Sequence, residues 1–114
     1  MLRLLTLAVA VSFAILTGAQ TPAYGLENVA QIVEPSPNIQ SWTYDPQVLT
    51  VSVGDVVTWM NAGAVPHSVT ASDRSFDSGY LPSGQAFAWT ASAAGTYNYV
   101  CIFHPWMTGT VVVQ

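Results

Sequence analysis

Apolar and polar positions alternate with a period of two along most of the chain from Gln47 onward. In QVLTVSV (Gln47 to Val53), Val51 and Val53 share a face, and Gly54-Asp55 then marks a turn. VVTWMN (Val56 to Asn61) alternates again, with Val57 and Trp59 together. HSVTA (His67 to Ala71) is short and β-branched, and AFAWTA (Ala86 to Ala91) sets Phe87 and Trp89 opposite Ala86, Ala88 and Thr90. GTYNYVC (Gly95 to Cys101) follows a glycine turn, and TGTVVVQ closes the chain. The intervening stretches NAGAVP, DRSFDSGYLPSGQ and SAAG are rich in Gly and Pro; the longest, Ser72 to Gln85, has room for one short helical turn. No segment sustains a helical period. Short strands with Gly/Pro punctuation predict an all-β antiparallel sandwich or barrel. Trp59, Phe87, Trp89 and Tyr97 read as core or sheet residues of it.

The N-terminus follows another pattern. In MLRLLTLAVAVSFAILTGA, Arg3 precedes an apolar run from Leu4 to Leu16, and Thr17-Gly18-Ala19 follows. A charged start, a short apolar core and small residues at the cut describe a secretory signal over residues 1–19, cleaved after Ala19 or, as second choice, Ala23. The run is short of the roughly 20 residues a membrane helix needs; an uncleaved anchor from Leu2 to Ala19 is the alternative. Residues 20–37 are polar and contain prolines, which predicts a mobile lead-in with a short edge strand around Val29–Val33. The folded domain is expected over 38–114. The protein is therefore expected to be exported, to the periplasm or another extracytoplasmic compartment.

Charge narrows the partners. The 114-residue chain carries net charge −4 and no lysine, and Arg74 is its only basic residue after the signal. Counterion release needs several Lys or Arg, so nucleic acid is excluded as a partner. The acids, Glu34 among them, are scattered and read as solvated surface. Only 7% of residues are charged, yet 51% are hydrophobic, which argues for a packed domain rather than disorder. One cysteine cannot make an internal disulfide, so a metal becomes a candidate staple for a small exported domain.

That cysteine lies in CIFHPWM, where Cys101, His104 and Met107 stand three residues apart. Taken singly, Cys101 is a small buried hydrophobe, His104 a surface imidazole and Met107 core filler. Together, i, i+3 and i+6 fall on one side of a tight loop. Cys101 ends a strand, Pro105 stiffens the turn, and Gly109 is expected to let the chain swing into its last strand. Thiolate, imidazole and thioether form a soft donor set. One Cys, two His and a weak axial Met make a blue-copper electron-transfer site. The second histidine is His67, behind Pro66. Asn61 is either a turn residue or a hydrogen-bonding support for the ligands.

VPHSV, followed by FDSGYLPSGQAFAWTASAAGTYNYVCIFHPWMTGTVVV, resembles the cupredoxin (type 1 blue copper) family, in its amicyanin- and plastocyanin-like branch. The resemblance covers roughly Val48 to Val113. It implies a Greek-key β-sandwich of about eight strands, one copper ion bound in a plane by His67, Cys101 and His104, and Met107 as distant axial ligand. It also implies a monomeric single-electron carrier between redox proteins, a dehydrogenase as donor and a cytochrome or similar carrier as acceptor, docking near His104 and Trp106. Many relatives carry Asn directly after the first ligand histidine; this chain has Ser68, with a shorter reach.

Enzymatic alternatives fit less well. Two histidines cannot supply a trinuclear copper cluster, and one cysteine cannot build a binuclear copper–sulfur centre. His104 lies on the same tight loop as Cys101, poorly placed to act as its base in a hydrolase. The alternative function is an exported copper-binding transport or storage protein.

Overall fold

A computed structural model describes residues 28–114. The expected signal at 1–19, both cleavage points and the start of the lead-in lie outside the described residues. Eight strands are described: β1 (Val29–Val33), β2 (Thr43–Asp45), β3 (Val48–Val51), β4 (Val56–Asn61), β5 (Thr70–Ala71), β6 (Ala86–Thr90), β7 (Gly95–Cys101) and β8 (His104–Val113). They form two four-stranded sheets, ordered β2-β1-β4-β6 and β3-β8-β7-β5.

Alternation explains which faces meet. Val57, Trp59 and Ile32 of the first sheet are buried, as are Leu49, Val51, Tyr99 and Val111 of the second. The fully buried Trp59 indole lies 5.2 Å from the Phe76 ring, 5.8 Å from Phe87 and 5.4 Å edge-on from Tyr99, so it joins the sheets. Tyr44 adds a second edge-on contact to Tyr99 at 4.7 Å. Phe87, Trp89 and Tyr97 pack around this centre, partly buried.

The structure differs from the sequence expectations at several points. β1 is no edge strand in a mobile lead-in. It runs antiparallel to β2 and parallel to β4, with Ala30 opposite Trp59. Ala30 and Ile32 are both fully buried, and Pro35 falls beyond the strand end, where it breaks no ladder. Pairing is mixed rather than purely antiparallel, because β3 also runs parallel to β8. Val53 does not share the buried face of Val51. The strand ends at Val51, and Ser52 and Asp55 hydrogen-bond each other across the turn that holds Gly54 at φ +97°.

The stretch from His67 is a strand only at Thr70–Ala71. Its first part pairs instead with the long loop: His67 and Leu81 exchange backbone bonds of 3.1 and 2.9 Å. That loop contains no helical turn. The one short helix among the described residues is a 3₁₀ turn at Ile39–Ser41, whose Asn38 cap accepts from the N–H of Gln40.

The last strand starts at His104, not after Gly109, so only Ile102 and Phe103 form the turn from β7. Pro105, Trp106 and Met107 have no partner on β7 between the pairs Cys101–His104 and Val100–Thr108. They form a bulge, and bulges re-aim side chains beside functional sites. Gly109 serves packing rather than a chain reversal. It lies opposite Tyr99, and a Cβ there would overlap the Tyr99 ring.

Candidate metal centre

Three sequence-predicted residues converge at one end of the sandwich. Cys101 is the last residue of β7 and His104 the first of β8, so the two-residue turn places them opposite each other. His67 arrives from the loop after β4. The His67 and His104 Nδ1 atoms are 3.2 Å apart, and Cys101 Sγ lies 3.4 Å from His104 Nδ1 and 3.8 Å from His67 Nδ1. Cys101 and His67 are fully buried, whereas His104 is partly exposed. Met107 lies on the inward face of β8, buried like Gly109 and Val111. The triangle itself is made by the other three.

The His67 loop is held from both sides. Asn61 is fully buried and supports the ligand loop: its Nδ2 donates to the carbonyls of Val65 and Leu81, each at 3.0 Å, and its Oδ1 accepts from the N–H of Gly63 at 2.9 Å. Glu34, just past β1, accepts from the N–H groups of Ala64 and Val65 at 2.9 and 3.2 Å, and from His67 Nε2 at 2.7 Å. Giving the Nε2 proton to Glu34 leaves Nδ1 as the lone pair that faces Cys101 and His104, the tautomer a ligand needs.

Ser68 bridges the two ligand segments despite its short reach. Its Oγ accepts from the N–H of Ile102 at 2.9 Å, and its hydroxyl lies 2.9 Å from Thr70 Oγ1, which donates to Asp77 at 3.0 Å. The Ser68 N–H points at Cys101 Sγ, 3.4 Å away, and the Ser68 carbonyl accepts from the Tyr44 hydroxyl at 2.5 Å.

The electrostatics suit a thiolate. Burial alone would raise the Cys101 thiol, but a bond from His67, whose Nδ1 also carries a proton when the imidazole is charged and no metal is bound, and bonds from the Ser68, Phe103 and His104 backbones bring it below its ordinary value. Burial would lower His67, yet its bonds to Cys101 and Glu34 hold the imidazole above its usual range. His104 is lowered, first by burial and then by repulsion from His67. A deprotonated sulfur and two imidazole nitrogens at these separations fit one ion at bond lengths of about 2.0 Å to nitrogen and about 2.3 Å to sulfur. The soft, mixed donor set suits copper.

Two neighbours were not evident from sequence. Glu34, read as a solvated acid, is tied to His67. Trp42 stands edge-on to both imidazoles, with ring centres 5.8 Å from His67 and 5.2 Å from His104. Trp106 does lie beside His104, at 5.4 Å, but it is half-buried and its indole N–H is donated to the Ile39 carbonyl at 2.8 Å. Exposed apolar groups here include Phe103, at 45% of its surface, and Tyr80, at 66%. They line an apolar depression with Trp42, Val65, Pro66 and His104.

Residues 33–114 match the family of copper binding proteins described as plastocyanin/azurin. Amicyanin of Paracoccus denitrificans is 38% identical over 82 residues, which are 68% of this chain and 63% of that protein. Plastocyanin of Scenedesmus fuscus is 31% identical over 84 residues, 62% of this chain and 86% of that protein. The chain spans about three fifths of the length of the Paracoccus amicyanins it matches, 63% and 61%. Among solved structures, a purple cupredoxin from Nitrosopumilus maritimus superposes with TM-score 0.66 at 36% identity, covering 75% of this chain and 99% of that one. A reduced amicyanin mutant gives TM-score 0.64 at 34% identity, covering 75% and 80%. With the family model spanning residues 33–114 and cupredoxin structures superposing on the sandwich, this chain belongs to the plastocyanin/azurin family of copper-binding proteins.

Proposed function

We propose that this protein is an exported single-electron carrier that holds one type 1 copper through His67, Cys101, His104 and Met107. The observation that carries the reading is the approach of one thiol sulfur and two imidazole nitrogens, all within 3.8 Å of one another, on a braced frame. Bound copper supplies a one-electron couple between Cu(I) and Cu(II), and no substrate bond is made or broken. The residues contribute rigidity. Cys101 is fixed by the end of β7, His67 by Glu34 and the Asn61-braced loop, and the two segments by Ser68. Ligands held in this way move little when the charge of the site changes. The alternative, an exported copper transport or storage protein, would give its metal up to a partner, whereas a carrier cycles without losing it. The leader-like residues 1–19 support export to the periplasm or a similar compartment.

Met107 is the proposed weak axial ligand, tuning the potential rather than holding the metal. Met107→Gln is expected to lower the potential and Met107→Leu to raise it, each by about 59 mV or more, a tenfold change in a one-electron equilibrium. Both variants keep their copper. Voltammetry showing no change in either would remove Met107 from the ligand set.

The partly exposed His104 is the proposed electron port, and the apolar depression beside it the docking surface for a redox donor and acceptor such as a dehydrogenase and a cytochrome. Electron-transfer interfaces are small, and an apolar patch permits close approach with quick release. Phe103 is the expected main contact, since Trp106 is half-buried and its indole N–H is tied to the Ile39 carbonyl. Phe103→Ala is expected to slow electron exchange with a cognate partner by about tenfold, the effect of losing one interface anchor, with colour and potential unchanged. Added salt should matter less, because screening acts on charges. Stopped-flow rates that fall steeply with salt and ignore Phe103→Ala would place docking on an acidic face instead.

A further inference from the structure

We propose that Glu34 is a positioning residue of the metal centre: through the His67 imidazole, its carboxylate biases the redox balance toward oxidised copper. The inference rests on the copper reading above. Three N–H donors, from Ala64, Val65 and His67, converge on this one carboxylate, and its side chain is only 12% exposed. The backbone is shaped to admit it. Residue 63 is glycine, and a Cβ there would overlap the Glu34 carboxylate group. A carboxylate only accepts, and three converging N–H donors with no acceptor among them match that form, so the group facing His67 carries a negative charge.

The direction of the bias follows from charge. A carboxylate that accepts the outer N–H of a bound histidine orients the ring and makes it a more basic ligand. Together with the Cys101 thiolate, it brings two negative charges to a doubly positive ion. The oxidised site is then neutral and the reduced site carries one uncompensated negative charge in a partly buried setting. Such a charge is costly where the local dielectric is low. Glu34 therefore favours Cu(II). If Glu34 were merely a brace for the 63–67 loop, replacing it by an uncharged side chain of the same shape would alter stability and leave the potential alone.

Two variants separate these roles in the copper-loaded protein. Glu34→Gln removes the charge with little change of shape. Gly63→Ala keeps the glutamate but pushes its carboxylate off His67; the overlap is with the end of a flexible side chain, which can swing aside. Both are expected to shift the Cu(II)/Cu(I) equilibrium at least tenfold toward Cu(I), an upward move of about 59 mV, with visible colour retained. In the copper-free protein, NMR of the imidazole nitrogens should show a slowly exchanging His67 Nε2 proton that Gly63→Ala exposes to fast exchange. Should Glu34→Gln fail to fold, Gly63→Ala decides. A wild-type protein that takes up copper and turns blue, with variants at unchanged potential, overturns this inference alone. A wild-type protein that takes up no copper overturns the copper reading and this inference with it, while the NMR result still reports the Glu34–His67 bond.

Discussion

Cys101→Ser is expected to abolish the visible colour of the Cu(II)-loaded protein and leave a folded sandwich. The intense colour of such a centre comes from charge transfer out of a thiolate, and the chain has one cysteine. Its sulfur is already drawn toward the anion by N–H groups that surround it. A serine hydroxyl in that place stays protonated and is a poor ligand for copper. The fold should survive, because Ser differs little in volume and the buried hydroxyl can accept from the Ser68 N–H that now faces the sulfur. The cost is that of an altered buried hydrogen bond, on the order of 1–3 kcal/mol. Absorption and circular dichroism on one sample check both halves. A Cys101→Ser protein that remains intensely blue would end the proposed ligand assignment.

Trp59→Ala is expected to be the most destabilising single truncation in the core, by about 3 kcal/mol, the lower part of the range for large-to-small aromatic changes. Trp59 is fully buried and touches Phe76, Phe87 and Tyr99, so its removal leaves a cavity lined from both sheets. The lower end applies because its indole N–H is buried with no hydrogen-bond partner among the described residues, and truncation removes that desolvated group as well. A domain typically has about 5–15 kcal/mol to lose. The strand that holds Trp59 also carries Asn61, two residues on, so loss of colour and loss of β-structure should coincide in urea. A change below about 1 kcal/mol would mean that the two sheets do not depend on this residue.

The convergence of His67, Cys101 and His104 is largely legible in the sequence because chemistry and local geometry coincide there. Cys101, His104 and Met107 fall on one hairpin, so their spacing alone suggests proximity, and His67 is the one remaining histidine. What stayed hidden depends on contacts across the fold. Glu34 lies 33 residues before His67 and looks like any solvated acid; its only trace is Gly63, which reads as an ordinary loop glycine until the carboxylate is seen beneath it. β1 was underrated because five residues with two buried positions do not distinguish an edge strand from an interior one. The start of β8 was misplaced because Pro105 reads as a strand breaker. It is tolerated where the bulge leaves residues 105–107 unpaired on the β7 side. Ser68 looked like a loss of the bridge between ligand segments, yet the close turn after Cys101 brings the Ile102 N–H within reach of its hydroxyl.

The central claim is a tightly held copper that changes oxidation state and stays in place. It is tested most directly by titrating the metal-free protein with Cu(II) and following the visible spectrum through repeated reduction and reoxidation beside a competing chelator. The expected result is an intense thiolate-to-copper band that saturates at one ion per chain, bleaches on reduction and returns in full on each reoxidation, with the chelator remaining empty. A colourless complex, or colour that fades over successive cycles as the chelator fills, would contradict an electron carrier and favour a protein that delivers copper.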